Sequence, residues 1–152
     1  MKKVLSGVAV MVIVLMSTCL CVQAATLEEA KALAIKAAKF VEANGKEKGI
    51  AEIGNPKGQF VKGELYVTMQ DTNGIHLANP MAPALVGQNH LELKDPTGKY
   101  FIKEFIEIVK TKGGGWSEYE WVNPATKKLQ AKKAWIQKVE GTDMYVLCGI
   151  FQ

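Results

Sequence analysis

The residues best suited to chemistry lie on a predicted strand at positions 116 to 122, where aromatic and polar side chains alternate. Successive side chains of a strand point to opposite faces, so Ser117, Tyr119 and Trp121 share one face and Trp116 lies on the other. Small polar ligands are held by such a face, because aromatic walls exclude water while a few polar groups fix the ligand's orientation.

The next predicted strand, residues 128 to 138, adds positive charge to this region. Lys133 and Trp135 fall on one of its faces and Lys132 on the other, and the alternation leaves open which ammonium turns toward the aromatic face. Because the chain contains no Arg, an anionic ligand would be held by Lys ammonium groups, hydroxyls, amides or backbone N–H groups. The alternative is that the aromatic side chains are ordinary core residues and the lysines are solvated.

Signs of catalysis, of a metal or of a cofactor are weak. The chain has two histidines, His76 and His90, and no His-Glu-x-x-His motif. The glycine run 113–115 precedes a predicted strand, so it lacks the helix N-terminus that binds phosphate. Cys148 lies on an apolar strand, where a buried, inert thiol is the usual state. We therefore expect a binding domain that is not an enzyme and carries no metal or cofactor.

A long helix is predicted near the start of the domain. Thr26 and Glu29 have the spacing of a capping box, in which each side chain bonds the other residue's backbone N–H. Apolar residues then recur every three or four positions, which predicts one buried face. The helix is expected to stop at Gly45 or Gly49, with a less regular stretch after it.

Two strands are predicted to follow this helix. Residues 64–71 alternate apolar and polar side chains as a half-buried strand does. The sequence Asp71-Thr72-Asn73-Gly74 favours a hairpin turn into a return strand at 75–79. Pro80, Pro83 and Gly87 then indicate a loop with room for one helical turn.

A second main helix is predicted from Asp95-Pro96, with Asp as the cap and Pro in the first turn, to Gly113. Three strands joined by short turns follow, at 116–122, 128–138 and 144–151. Such strands pair antiparallel, because a parallel crossover needs a dozen or more residues. The fold class is therefore α+β: one five-stranded antiparallel sheet, with the long first helix on one face and the loop and second helix on the other.

Residues 1–24 have the form of a secretory signal peptide, leaving a single domain at 25–152. Two lysines are followed by an uncharged stretch, and Val22-Gln23-Ala24 matches the small-residue pattern of a cleavage site. We expect a periplasmic or secreted protein. The alternative is an uncleaved, N-terminally membrane-anchored one, since the uncharged stretch is long enough to span a bilayer.

The composition is that of a globular protein that does not bind nucleic acid. Hydrophobic residues make up 48% of the chain and charged residues 22%, which argues against disorder. The net charge of +4 falls to about +2 without Lys2 and Lys3, and the remaining lysines are scattered. A nucleic-acid-binding surface would show basic residues clustered on one face.

Several segments together resemble a known family. They are GELYVTMQDTNGIHLANP, LVGQNHLELKDPTGKYFIKE, GGGWSEYEWVNP and KKAWIQKVEGTDMYVLCGIFQ. From Phe60 to its end, the chain resembles the single Cache domains that serve as extracytoplasmic sensors of bacterial chemoreceptors and histidine kinases. The resemblance implies a PAS-like sheet preceded by a long helix, with a ligand pocket between the sheet and the loop plus second helix.

The resemblance also implies which residues line the pocket and what they bind. The implied ligands are small organic acids such as acetate, propionate, pyruvate or lactate. This chain has Asn79 where the family often has His, and Trp135 where it often has Tyr. Lys132 matches the family's lysine by its distance from Trp135, although the face count allows Lys133 as well. The candidate pocket residues are Tyr66, Thr68, His76, Asn79, Trp116, Tyr119, Trp121, Lys132, Lys133 and Trp135.

We therefore expect a sensor module for a short organic carboxylate that passes its occupancy to a partner, either a membrane receptor or a kinase. The alternative is a ligand-free interaction module that uses the long first helix to form a homodimer or to dock on a membrane receptor.

Overall fold

The computed structural model describes residues 24–152, so the predicted signal peptide lies outside the described residues apart from Ala24. Within the described range, no helix combines the length and the apolar character that crossing a bilayer requires.

The first helix, α1, spans Leu27–Asn44 and begins with the predicted capping box. The Thr26 backbone N–H donates to a Glu29 carboxylate oxygen at 2.8 Å, and the Glu29 N–H donates to the Thr26 hydroxyl at 3.2 Å. Of the two stops that the sequence allowed, the helix uses Gly45, which has a φ of +85°. That left-handed region is reached at little cost only by glycine, so the helix ends there.

The stretch after Gly45 is more regular than predicted, because it forms a second helix, α2, at Lys46–Ile53. Gly49 was a candidate helix stop, yet it lies inside this helix and is buried. A Cβ at Gly49 would come within 2.8 Å of the Val41 side chain, so this glycine is needed for close packing of α2 on α1. The sequence signal was ambiguous, because a helix-breaking residue serves here as a contact residue.

The sheet has six strands rather than the predicted five. The additional strand is a two-residue pairing, β1, which a period-two pattern is too short to reveal. All pairings are antiparallel, in the order β1-β2-β6-β5-β4, with β3 also paired to β2. The strands are β1 Val61–Lys62, β2 Leu65–Asp71, β3 His76–Ala78, β4 Gly114–Val122, β5 Leu129–Lys138 and β6 Met144–Phe151.

The helix α3 spans Phe101–Lys112, six residues later than the predicted start at Asp95. Asp95 accepts from the N–H groups of Thr97 and Lys99, so its carboxylate closes a turn instead of capping a helix. Gly98 within that turn has a φ of +88°, which a continuing helix does not allow. The loop before it contains a single turn of 3-10 helix at Pro83–Leu85, as predicted.

The sheet separates two hydrophobic clusters, one on each face. On one face α1 packs against β5 and β6, and the cluster includes Val67, Met69 and Val146. On the other face α3 packs against β4 and β5, and that cluster includes Phe105 and Leu147. Every residue of β2 is buried: Leu65, Val67 and Met69 belong to the first cluster, while Tyr66, Thr68 and Gln70 point to the other face of the sheet. The architecture is the predicted PAS-like α+β arrangement.

Candidate functional site

A narrow cavity lies between the sheet and α3. About 20 Å³ of it is open to the centre of a water-sized sphere, which is room for one or two water molecules. A ligand held there in this conformation has to be small. The lining residues are Tyr66, Thr68, Gln70, His76, Asn79, His90, Phe101, Ile102, Phe105, Tyr119, Trp121, Lys132 and Leu147.

Lys132 is the charged group of this cavity. It is 2% exposed, and its ammonium donates to the Tyr66 hydroxyl at 2.9 Å and lies 4.7 Å from the centre of the Phe151 ring. In the described part of the chain, no carboxylate lies within ion-pair distance of this ammonium. Burial therefore lowers the pKa of Lys132 to about 8. A buried cation without a counter-ion is costly, so this site favours a bound anion.

Two hydroxyl groups add hydrogen-bonding capacity. Thr68 and Tyr119 are both buried and both line the cavity. Within residues 24–152, every polar side-chain atom that is fully buried has a hydrogen-bond partner. The Thr68 and Tyr119 hydroxyls have no such partner there, so their oxygen atoms are not fully buried. It follows that both hydroxyls open into the cavity, where a ligand can reach them. Together with the Lys132 ammonium they supply three donors from three strands.

The polar wall of the cavity is a chain of side-chain amides around His76. The His76 Nδ1 lies 3.3 Å from the Gln70 amide nitrogen, and the His76 Nε2 lies 3.2 Å from the Asn79 amide nitrogen. The Gln70 amide also lies 2.7 Å from the Tyr145 hydroxyl. Burial, with a smaller contribution from the neighbouring His90, lowers the pKa of His76 to about 4. His76 is therefore neutral at physiological pH.

Aromatic rings from α3 and β4 form the apolar wall. Phe101 stacks on Tyr119 at 4.9 Å between ring centres, and Phe105 meets the same ring edge-on at 5.1 Å. Trp121 meets Phe101 at 5.7 Å. These contacts hold the Tyr119 ring on both sides, which fixes the position of its hydroxyl.

Seven of the ten predicted pocket residues line the cavity: Tyr66, Thr68, His76, Asn79, Tyr119, Trp121 and Lys132. Trp116, Lys133 and Trp135 do not. Trp116 and Trp135 pair across β4 and β5 on the α1 side of the sheet, with ring centres 5.4 Å apart, and the Lys133 ammonium lies 2.6 Å from a Glu118 carboxylate oxygen. The physical reason is the strict alternation of strand side chains: on β5 it sends Lys132 to the cavity and Lys133 and Trp135 to the other face, and on β4 it separates Trp116 from Tyr119 and Trp121.

Six lining residues were not predicted: Gln70, His90, Phe101, Ile102, Phe105 and Leu147. Gln70 could have been found, since it continues the period-two face of Tyr66 and Thr68. The three α3 residues lie within the predicted second helix, although their part in a cavity depends on how the helix packs. For His90, which lies in a loop, the sequence carries no periodic signal.

Two observations bear on the reactivity of the side chains in and around the site. Burial raises the pKa of the Cys148 thiol to about 12, so this side chain is not a nucleophile near neutral pH. Within residues 24–152, no group of three or more His, Cys, Asp or Glu side chains is placed to hold a metal ion. What remains is a small, partly apolar cavity with one cation and two free hydroxyls, suited to a small anion.

Comparisons with known proteins agree with this fold. The family model described as single Cache domain 2 matches residues 1–152. A methyl-accepting chemotaxis protein from Vibrio parahaemolyticus superposes with a TM-score of 0.68 at 22% identity, over 82% of this chain and 86% of that one. A Cache chemosensory domain whose structure was solved for carboxylic acid recognition gives a TM-score of 0.65 at 23% identity, over 82% of this chain and 87% of that one.

A curated relative is the sensor histidine kinase MctS of Rhizobium johnstonii, which is 29% identical over 86 residues. The match covers 57% of this chain and 18% of the kinase, so the chain corresponds to a small part of that protein. These matches agree on one kind of domain. The chain therefore belongs to the single Cache domain 2 family.

Proposed function

We propose that this domain senses a short organic monocarboxylate. The observation that carries the proposal is the Lys132 ammonium, which is buried in the cavity without a carboxylate partner in the described part of the chain. A bound carboxylate would supply the missing negative charge. Charge-assisted hydrogen bonds of this kind are short and about twice as strong as neutral ones.

The rest of the ligand meets the two hydroxyls and the apolar wall. The Tyr119 and Thr68 hydroxyls can donate to the second carboxylate oxygen, while Ile102, Phe105 and Leu147 contact the short tail. The cavity has room for one or two water molecules, so it must widen to admit acetate, propionate, pyruvate or lactate, and the shortest acids require the least widening. The solved Cache domain that recognises carboxylic acids supports the same ligand class.

The affinity for such a ligand should be modest. A ligand of about five or six heavy atoms gains at most about 1.5 kcal/mol per atom, which sets a ceiling near −8 kcal/mol. That free energy corresponds to a dissociation constant in the micromolar range or weaker. Such a sensor responds to changes in ligand concentration instead of staying saturated.

The output of sensing belongs to the same proposal. An export signal at residues 1–24 would place the domain in the periplasm or outside the cell, either free or held by its N-terminus. Occupancy would then pass to a membrane receptor or a kinase, a role that the match to part of a sensor kinase supports. Homodimerisation through α1 stays a prediction. The cavity itself counts against a module that binds no ligand.

A thermal-shift screen of C2 to C5 organic acids, followed by isothermal titration calorimetry, tests the proposal. At least one short monocarboxylate is expected to raise the melting temperature of the wild-type protein. The shift should be absent in Lys132→Met and retained in Lys133→Met, since Lys133 lies on the other face of the sheet with Glu118. Failure of every acid to stabilise the protein would overturn the proposed function.

A further inference from the structure

The orientation of one amide determines the protonation of the cavity's histidine. The Asn79 oxygen Oδ1 accepts from the backbone N–H of Met81 at 3.0 Å and from that of Ala82 at 2.9 Å. Only a carbonyl oxygen can accept both, because the amide nitrogen has nothing but donors. These two bonds therefore fix which end of the Asn79 amide faces the backbone and which faces His76.

The nitrogen of that amide lies 3.2 Å from Nε2 of His76. An amide N–H can approach this ring nitrogen only if the ring nitrogen carries a lone pair. The ring proton must then be on Nδ1, and the imidazole must be neutral. The tautomer of His76 is thus set by Asn79, which is in turn held by the loop backbone.

The other side of the ring is compatible with this assignment. Nδ1–H needs an acceptor, yet it is the Gln70 amide nitrogen that lies 3.3 Å away. A neutral imidazole cannot accept from an amide nitrogen on both sides, so one of the two amides has to be reversed, and Asn79 is the one held by two backbone N–H groups. The second contact of that amide is the Tyr145 hydroxyl at 2.7 Å, and a hydroxyl can accept as well as donate. Gln70 can therefore turn its oxygen to His76 and its nitrogen to Tyr145, which leaves every contact between a donor and an acceptor.

Protonation of His76 would place a second N–H on Nε2, against the Asn79 amide nitrogen. To accept it, Asn79 would have to reverse and give up both backbone hydrogen bonds in a buried position, where lost bonds are costly. His90, 5.6 Å away between ring centres, also opposes a positive charge on His76.

The remaining ionisable groups near the cavity leave one charge in it. Lys132 on β5 is the cation, and the phenols have pKa values raised by burial, so they stay neutral. α3 contributes only apolar side chains to the lining. The groups concerned are His76 and His90 beside one another, Tyr66 on β2, Tyr119 on β4, Tyr145 on β6 and Asp71, which acts on Tyr145.

We propose that Asn79 is a positioning residue that holds His76 neutral and thereby restricts the cavity to ligands with a single negative charge. The statement about ligands rests on the proposed function, whereas the statement about His76 does not. A second carboxylate would enter a buried site with no second cation, a placement that costs far more than a surface charge does.

The first test measures His76 in the ligand-free protein by long-range proton–nitrogen NMR of the histidine rings. The wild-type spectrum is expected to show the Nδ1–H tautomer at pH 6 to 7, without protonation above about pH 5. In Asn79→Asp, the carboxylate still accepts from the loop N–H groups but also accepts from Nε2–H. His76 should then titrate at or above its ordinary pKa of about 6.5. An Nε2–H tautomer, or a charged ring, in the wild-type protein at pH 6 would overturn the proposal.

Asn55→Asp is the matched control, because Asn55 Oδ1 also accepts a loop N–H, that of Lys57 at 3.0 Å, in an exposed loop. It makes the same chemical change away from the cavity. Its His76 spectrum should equal that of the wild-type protein. A change as large as that in Asn79→Asp would assign the effect to net charge and contradict the proposal.

The second test compares oxamate with oxalate by calorimetry at pH 7, since these planar anions have the same number of heavy atoms and differ by one charge. The wild-type protein should bind oxalate at least about tenfold more weakly than oxamate or pyruvate. Equal affinities would contradict the charge restriction. If no acid binds but His76 shows the expected tautomer, the proposed function fails while the role of Asn79 stands. If acids bind but His76 is charged, the reverse holds.

Discussion

Lys132 and Lys133 are consecutive residues of β5 whose ammonium groups end on opposite faces of the sheet. The first donates to the Tyr66 hydroxyl at 2.9 Å inside the cavity, and the second lies 2.6 Å from a Glu118 oxygen at the surface. One is a buried cation and the other a partly exposed ion pair. The two therefore form a natural pair of test and control positions for any effect assigned to charge in the cavity.

Lys132→Met is expected to stabilise the ligand-free protein at pH 7. Methionine fills a similar volume without a buried charge, and such replacements are often neutral or stabilising by about 1–4 kcal/mol. Urea unfolding would show a higher midpoint. Lys133→Met should change the free energy of unfolding by no more than about 1 kcal/mol, since exposed ion pairs contribute little. A lower midpoint for Lys132→Met than for Lys133→Met would contradict this account of Lys132.

The stability of the ligand-free protein should rise between about pH 8 and pH 10. Burial lowers the pKa of Lys132 to about 8, so in this interval the unfolded chain binds a proton that the native protein has lost. The free energy of unfolding then increases with pH, by on the order of 3 kcal/mol for the full shift. Above pH 10 the raised pKa values of the buried tyrosines work in the opposite direction. Lys132→Met should lack this rise in stability. Identical pH profiles for the wild-type protein and Lys132→Met would refute the assignment of the rise to Lys132.

The affinity for acetate should also depend on the protonation of Lys132, but it should fall with rising pH where the stability rises. The ammonium that pairs with the carboxylate is present below pH 8 and is lost above it, so the affinity should fall by up to tenfold for each pH unit beyond about 8. Between pH 6 and 7 it should be nearly constant, because His76 does not titrate there. Calorimetry across this range would measure both parts. Constant affinity from pH 7 to pH 10 would exclude Lys132 as the partner of the anion.

The size of the cavity can be tested at Ile102, which lines it, against Ile106 one turn later on α3, which does not. Either Ile→Val change should cost about 0.5–1.5 kcal/mol of stability. Only Ile102→Val is expected to shift the preference toward an acid one carbon longer. The ratio of butyrate to propionate affinity measures the shift, and an equal ratio in both variants would show that Ile102 does not limit ligand length.

Ligand binding should change the fluorescence of one tryptophan. Trp121 lines the cavity, whereas Trp116 and Trp135 pair on the far side of the sheet. The change on adding ligand is expected to survive in Trp116→Phe and in Trp135→Phe, and to disappear in Trp121→Phe. Loss of the signal in Trp135→Phe would indicate that binding alters the α1 face as well.

Much of the fold could be predicted because its signals are local. The capping box at Thr26, the alternation in β2 and the short turns between the last three strands each involve residues close in the chain. The errors arise where one residue type serves two purposes. Gly49 was a candidate stop signal and is a packing residue, and Asp95 was expected to cap a helix but closes a turn that Gly98 completes.

The cavity was predicted less completely, because it depends on how elements meet. Alternation alone gave two equivalent choices for the inward lysine, and only the register of β4 on β5 distinguishes them. The apolar wall depends on where along its length α3 crosses the cavity, because Ile102 and Ile106 share one helix face and only Ile102 lines the cavity. His90 enters through a loop and leaves no pattern in the sequence.

Thr68 opens into the cavity, while Val67 and Met69 on either side of it belong to the cluster beneath α1. Ligand and first helix are thus on opposite sides of a single polypeptide layer and share no direct contact through these side chains. A displacement caused by the ligand can reach α1 through the main chains of β2, β5 and β6, since each of these strands lines the cavity and contacts α1. The mechanical stiffness of these three strands, rather than the chemistry of the ligand, would then set how far α1 moves when a ligand binds.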